Sequence, residues 1–466
     1  MAVHLAQSLE RQARRRPGKR VLDSGGDALD WRGVEGGAGA LAASLAGQGV
    51  GRGSRVALGL EDPAELVVAL FGGLKAGATV LPLNPRLTAG ERARILADFA
   101  PDRTVEALCP GEADFPAVPT EPGDTAIVLY TSGSTGDPKG VLLSQAAVAW
   151  ALESWRGPVM DLAESDVSLS ALPLAHSLGI FGSVLAPLLS GGSVAFLPRF
   201  DPEDALAAIA RHRVSVFPGV ATMFRRILDS PALAGADLAS LRYALSGAAP
   251  CPWELASLWR EKTGVRIVRG YGMTELFRPI SCRAADPADL PDAIGRAVPG
   301  VALRVVDDDG NALGPGETGE LWIESPARMT GYLGRPGDTA AAFEGAWFRT
   351  GDLAALSPEG HVRIVGRRKD MILRGGYTVA PGEVEAVLLS HPAVAEAAVI
   401  GVPDDDLGED IAAFVSLDRP DAARPEDIVA FCRDRMAGYK YPRHVRIEPA
   451  LPKGPAGKIL KARLRL

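Results

Sequence analysis

Tyr130-Thr-Ser-Gly-Ser-Thr-Gly-Asp-Pro-Lys-Gly-Val141 is the stretch on which the reading of the chain turns. Gly133, Gly136 and Pro138 forbid a regular helix. They let backbone N–H groups converge with the hydroxyls of Thr131, Ser132, Ser134 and Thr135 on anionic oxygens. Lys139 adds a compact cation at the rim. The run Ala126-Ile-Val-Leu-Tyr130 predicts a buried strand, and Val141-Leu-Leu143 resumes an apolar run, so the expectation is a polyphosphate loop hanging off a sheet. The spacing Gly133-x-x-Gly136-x-x-Lys139-Gly140 lacks the Gly-Lys-Ser/Thr ending of a P-loop, which excludes a kinase-like or GTPase-like reading. A solvated Gly-Ser-Thr linker is the plain alternative.

Outward from this stretch, 466 residues exceed what one hydrophobic core usually serves, which predicts two or more domains. Hydrophobic residues at 47% and charged residues at 23% fit a soluble globular protein, and a net charge of -7 offers no general attraction to nucleic acid. Cys109, Cys251, Cys282 and Cys432 stand far apart with no C-x-x-C spacing. They predict neither a zinc site nor a disulfide framework, and they suit a cytoplasmic location. The N-terminal residues reach Arg14-Arg15-Arg16 without an apolar core, so no secretory signal is expected. The uncharged run 171–198 is the nearest thing to a membrane span, and His176, glycines and prolines break it.

Residues 1–125 alternate helical patterns with short apolar strands, which predicts a parallel sheet covered on both faces; 102–124 reads as a surface connection. After the loop, Leu172-Pro-Leu-Ala-His176-Ser-Leu-Gly179 predicts a strand end opening into an apolar helix. A lone histidine there reads first as a core residue. Val214-Ser-Val-Phe217-Pro-Gly219-Val220 and Tyr243-Ala-Leu-Ser-Gly247-Ala248-Ala249-Pro250 are apolar strands ending in small residues, and such ends open onto the ligand crevice of open α/β sheets. The small residues leave room for a flat ring or an acyl chain, or simply make a tight turn.

Tyr271-Gly272-Met273-Thr274-Glu275 brings an aromatic face, a hydroxyl and a hard carboxylate suited to Mg2+. Further on stand Thr350-Gly-Asp352, Gly366-Arg367-Arg368-Lys369, Arg374-Gly375-Gly376 and Pro455-Ala-Gly-Lys458. In this order, from Thr131 to Lys458, the chain resembles the adenylate-forming superfamily of acyl-CoA synthetases, luciferases and peptide-synthetase adenylation domains. Two departures are Gln145 after Ser144, where many relatives have histidine, read here as a surface variation, and a length shorter than many relatives.

The resemblance implies an α/β fold: a large N-terminal domain of packed sheets and helices (1–366), a hinge (367–369) and a small mobile α+β C-terminal domain (370–466). It implies that residues 131–136, Lys139, Gly247–Ala249, Tyr271–Met273, Asp352 and Arg367 bind ATP and AMP, with Asp352 on the ribose. Thr274, Glu275 and Lys458 would be catalytic, Glu275 and Thr135 would face Mg2+, and Lys369 would be the hinge. His176, Phe217, Gly219, Leu276, Phe277 and Arg278 would surround the acid, with Val220, Met223 and Phe224 as further wall. Arg278 reads as a contact to a distal group of the acid, a structural ion pair or an exposed side chain, and Arg368 as a solvated charge. Gly375 and Gly376 would line the CoA tunnel.

The implied activity is a carboxylic acid–CoA ligase using ATP, Mg2+ and CoA. The alternative is an enzyme loading a carrier-protein phosphopantetheine thiol; it ranks second because no Asp stands in the first substrate segment to hold an amino acid's ammonium, and no carrier domain is expected after Leu466. A nucleotide-binding regulator would require an idle Lys458, and nothing favours luciferase-type oxidation. Neither nucleic acid nor membrane is an expected partner, and a homodimer is left open.

Overall fold

The computed structural model describes residues 5–25, 28–132, 138–283, 286, 290–291, 293–453 and 459–466, with only the backbone of Ser132. They pack into two compact units, Met1–Ala302 with Glu324–Phe348, and Leu303–Ile323 with Arg349–Leu466. This division by packing falls earlier in the chain than a boundary at 366.

The first unit holds a six-stranded sheet in the order Gly331–Tyr332, Pro138–Ser144, Thr125–Ser132, Thr79–Pro82, Arg55–Leu58, Arg103–Val105. The last four strands are parallel, as the alternating pattern predicts. Helix Pro63–Lys75 connects two of them. Asp62 starts it by accepting from the N–H groups of Ala64 and Glu65, and Pro63 occupies a position where a missing N–H costs nothing. Ala126, Ile127, Val128 and Leu129 are all buried, because helices cover both faces of this strand. The chain then returns antiparallel, Thr131 facing Lys139 and Ser132 facing Pro138. The phosphate loop therefore joins the two arms of a hairpin within the sheet; residues 133–137 themselves lie outside the described residues.

Ser144 caps the next helix, Gln145–Ser154, by accepting from the Ala147 N–H. Gln145 is not a surface variation: its side chain is buried and its Oε1 has no hydrogen-bond partner among the described residues. The stretch 102–124 is also more than a surface connection. It contributes the edge strand Arg103–Val105, and it lies so close on helix Trp31–Gly47 that a Cβ on Gly39 would sit 1.9 Å from the Ala113 carbonyl oxygen.

A second sheet of seven strands runs Arg266–Val268, Tyr243–Ser246, Val216–Gly219, Val167–Ser170, Ser193–Phe196, Arg20–Asp23, Leu29–Asp30. All neighbours are parallel except the last pair. Gly219 stands opposite Ser246 and Leu245 opposite Val268, so the loops that follow these strands leave from one edge. Helices Pro202–His212, Ala221–Leu228 and Trp253–Thr263 bury one face around Phe217, Phe224 and Trp259. The run 171–198 folds as the π-helix Leu178–Leu185, the helix Ala186–Leu189 and strand Ser193–Phe196. Among the described residues no helix is long and apolar enough to cross a membrane. A third small sheet pairs Gly270–Met273, Phe277–Ser281 and Arg296–Ala297.

The second unit contains a sheet of Ala302–Val306, Gly319–Glu324, Trp347–Leu356 and Val362–Arg367. It also contains a mixed five-stranded sheet, Ile372–Arg374, Tyr377–Val379, Val394–Asp404, Gly408–Leu417 and His444–Ile447, whose core is closed by helices Pro381–Leu389 and Pro425–Arg433.

Candidate active site

In the first unit, the edge where the parallel strands of the second sheet end carries Gly219 at the last position of its strand, His176 and Gly247–Ala249 in the segments after two others, and Tyr271 in strand Gly270–Met273, which follows Arg266–Val268. The Gly247 N–H donates to the Gly219 carbonyl at 3.3 Å, and Ala248 takes a left-handed φ of 62°. A Cβ on Gly247 would lie 3.2 Å from Leu178, so the missing side chain lets the π-helix approach the strand end. His176 is partly buried. Its Nε2 has no partner among the described residues, and burial pulls its pKa below the usual histidine range, which keeps the imidazole neutral at physiological pH.

The Tyr-Gly-Met-Thr-Glu motif forms one arm of a hairpin, with Tyr271 opposite Ile280. A Cβ at position 272 would fall 1.9 Å from the Phe277 carbonyl oxygen, which explains the glycine sterically. Phe277 adopts φ 58°, an uncommon conformation for a side chain of this size, and its buried ring lies 4.6 Å from that of Phe181. Leu276 is buried beside it, while Thr274 and Glu275 are only partly covered.

Tyr332, which the motifs did not single out, reaches this carboxylate. Its hydroxyl donates to Glu275 Oε1 at 2.9 Å. Lys139 Nζ lies 5.2 Å from the centre of the same ring and pairs with Asp338 at 2.8 Å. The two ends of the nucleotide pattern, Lys139 and Glu275, thus meet around one phenol. The signal available in sequence was the punctuated run Gly331-Tyr-Leu-Gly-Arg-Pro336, a lone aromatic between turn residues.

Two expected acid-pocket residues lie in the core, and a third has a different role from those expected. Phe217 and Phe224 pack edge to face at 5.5 Å in the core beneath the helices, with Trp259 5.1 Å from Phe224, because Phe217 points to the helix-covered face of its strand. Arg278 is neither exposed nor ion-paired to a carboxylate. Its guanidinium is buried and donates to the Ser246 carbonyl (2.8 Å), the Val268 carbonyl (3.1 Å) and Ser281 Oγ (3.0 Å). Burial pulls its pKa down to about 10.

In the second unit Asp352 is buried and faces Arg367 across a strand pair, with Arg367 Nε 3.5 Å from its carboxylate. Gly351, at φ 70°, precedes it within the strand Trp347–Leu356. Arg368 is exposed, as expected of a solvated charge, and it also pairs with exposed Asp308 at 2.6 Å and with buried Glu320 at 3.3 Å. Lys369 is exposed in the short 3-10 turn Arg368–Asp370. Gly375 and Gly376, both at positive φ, close the two-residue hairpin between Arg374 and Tyr377. Lys458 lies outside the described residues.

Residues 9–113 and 100–333 match the model of the family described as AMP-binding enzyme, and 383–458 match the AMP-binding enzyme C-terminal domain. The chain belongs to the AMP-binding enzyme family. This AMP-binding enzyme is 37% identical to a feruloyl-CoA synthase of Amycolatopsis sp over 98% of its own length and 97% of the relative's. Among solved structures it is similar to ATP-bound MatB from Rhodopseudomonas palustris (30% identity, TM-score 0.91, 98% and 97% of the two chains). A benzoate CoA ligase from Burkholderia xenovorans LB400 is equally near (30% identity, TM-score 0.90, all of both chains). The AMP-binding enzyme thus falls in the acyl-CoA synthetase branch and has the adenylate-forming fold of that branch.

Proposed function

We propose that the two half-reactions of a carboxylic acid–CoA ligase run on the residues described above. The acid's carboxylate attacks the α-phosphorus of ATP, pyrophosphate leaves, and the thiol of CoA then displaces AMP from the acyl-adenylate. The observation that carries this reading is the meeting of Lys139 and Glu275 around Tyr332, which places a phosphate-loop cation and a metal-competent carboxylate within one polar cluster. Positioning and charge neutralisation supply most of the acceleration in such a displacement.

In the first unit the phosphate loop, with Lys139, receives the triphosphate. Tyr271 and the Gly247–Ala249 loop take the adenine, and Thr274 bonds the α-phosphate. Glu275 Oε1 is occupied by Tyr332 while Oε2 accepts no bond among the described residues, a donor set that fits one Mg2+ carried by ATP. When bound, that ion neutralises charge on the phosphates; Glu275 holds it, assisted by Thr135. Leu178, Phe181 and Phe277 give the acid an apolar wall beside His176, and Arg278 serves as a tie between strand ends. In the second unit Asp352 bonds the ribose hydroxyls, Arg367 the nucleotide, and Lys458 the oxygens on which charge develops. Gly375 and Gly376 admit the pantetheine chain, with Lys369 as hinge. The cytoplasm is the proposed location of this activity.

The test is to offer aliphatic, hydroxy and aryl acids with ATP and with free CoA as the only thiol, and to measure AMP and thioester. Formation of both from at least one acid is expected. AMP release without thioester would turn the reading to a carrier-protein thiol, and no AMP with any acid would end it.

A further inference from the structure

Tyr332 is braced on every side. Strand Gly331–Tyr332 pairs with the arm that follows the phosphate loop, Gly331 opposite Leu142 and Tyr332 opposite Val141. The Leu333 N–H donates to the Gly140 carbonyl at 2.8 Å, the Tyr332 N–H to Thr339 Oγ1 at 2.9 Å, and the Met329 N–H to the carbonyl of Glu275 itself at 2.8 Å. Thr339 sits in helix Pro336–Ala342, which also carries Asp338, the partner of Lys139. The phenol has little freedom to leave Glu275, and its main chain is tied to both nucleotide motifs.

We propose that Tyr332 is a positioning residue for adenylation: its hydroxyl fixes the Glu275 carboxylate with Oε2 turned to a divalent ion on ATP, while its ring seats Lys139. This rests on the reading of Glu275 as the ion's ligand. A phenol suits the task because it donates without adding charge. Hydrogen bonds to a ligating carboxylate hold its orientation, and losing one typically costs about 10-fold to 100-fold in metal affinity. The contact with Lys139 is a cation–ring contact that the substitution to phenylalanine preserves.

The experiment compares wild type, Tyr332→Phe and Glu275→Gln by titrating Mn2+ against enzyme and α,β-methylene-ATP, reading bound Mn2+ by electron paramagnetic resonance. Pyrophosphate-exchange kinetics are measured alongside. Tyr332→Phe is expected to weaken Mn2+ binding about tenfold or more, with KM for the acid within about twofold of wild type and an unchanged melting temperature. Wild-type Mn2+ affinity in Tyr332→Phe, with affinity lost in Glu275→Gln, would overturn the role of Tyr332 alone. Wild-type affinity in Glu275→Gln would remove the ligand reading beneath it. A fall in melting temperature together with a parallel rise of both KM values in Tyr332→Phe would assign the phenol to general packing and overturn the proposal.

Discussion

Arg278 Nη1 donates to the carbonyl oxygen of Ser246 across 2.8 Å, and Nη2 of the same guanidinium reaches the carbonyl of Val268 at 3.1 Å. One side chain therefore ties together the ends of two adjacent parallel strands, Tyr243–Ser246 and Arg266–Val268. Replacing it with methionine leaves two buried carbonyls without donors, at about 1 to 3 kcal/mol each. Arg278→Met is expected to lose at least about 2 kcal/mol in urea unfolding. Arg278→Lys should fall between, because an ammonium lacks the planar fork that serves several acceptors at once.

Gly272→Ala tests the hairpin. A methyl group 1.9 Å from the Phe277 carbonyl oxygen must push the two arms apart. Overpacking of this kind costs about 1 to 3 kcal/mol. Because the displaced arm carries Tyr271 and leads to Glu275, KM for ATP should rise about tenfold in pyrophosphate exchange, and KM for the acid less.

Lys458→Ala separates the half-reactions. Losing a cation that meets developing charge should slow adenylation by at least about a hundredfold, read as pyrophosphate release. Thiolation of preformed acyl-AMP should be nearly intact. Equal loss in both assays would remove Lys458 from the proposed role.

His176 gives stability an acid dependence. Burial lowers its folded pKa below the ordinary histidine value of about 6.5, so on acidification the unfolded chain takes up the proton first. The contribution is complete above about pH 6.5 and is lost as pH falls through the folded value. Urea midpoints measured from pH 7.5 to 5 should fall less steeply for His176→Phe than for wild type, and coincident slopes would contradict it.

The order of motifs made the superfamily legible before any coordinates, and the alternation of apolar strands with helical patterns gave the parallel sheet of residues 1–125; that residues 133–137 join antiparallel strands appears only in the structure. What stayed hidden was the direction of individual side chains. Phe217 and Gly219, two positions apart, point to one face of their strand, and sequence does not say that helices cover it: Phe217 lies in the core, and a Cβ on Gly219 would sit 3.0 Å from the Phe224 ring. Gln145 looked like a surface exchange because a polar side chain is usually exposed, whereas here the capped helix turns it inward. Arg278 fooled a reading by charge, since the acceptors that hold it are backbone carbonyls and a serine hydroxyl. Gly272 was recognised as part of a motif, but its necessity follows only from where the returning arm places the Phe277 carbonyl.

Tyr332 and Glu275 stand 57 positions apart in the chain. Anyone building hybrids of such ligases by exchanging segments therefore has a rule for where to cut. A crossover placed between the two residues hands each parent's acid to the other parent's phenol, and pairs the foreign strand with the native phosphate hairpin. Exchanges that carry both residues from a single donor keep that inherited partnership whole.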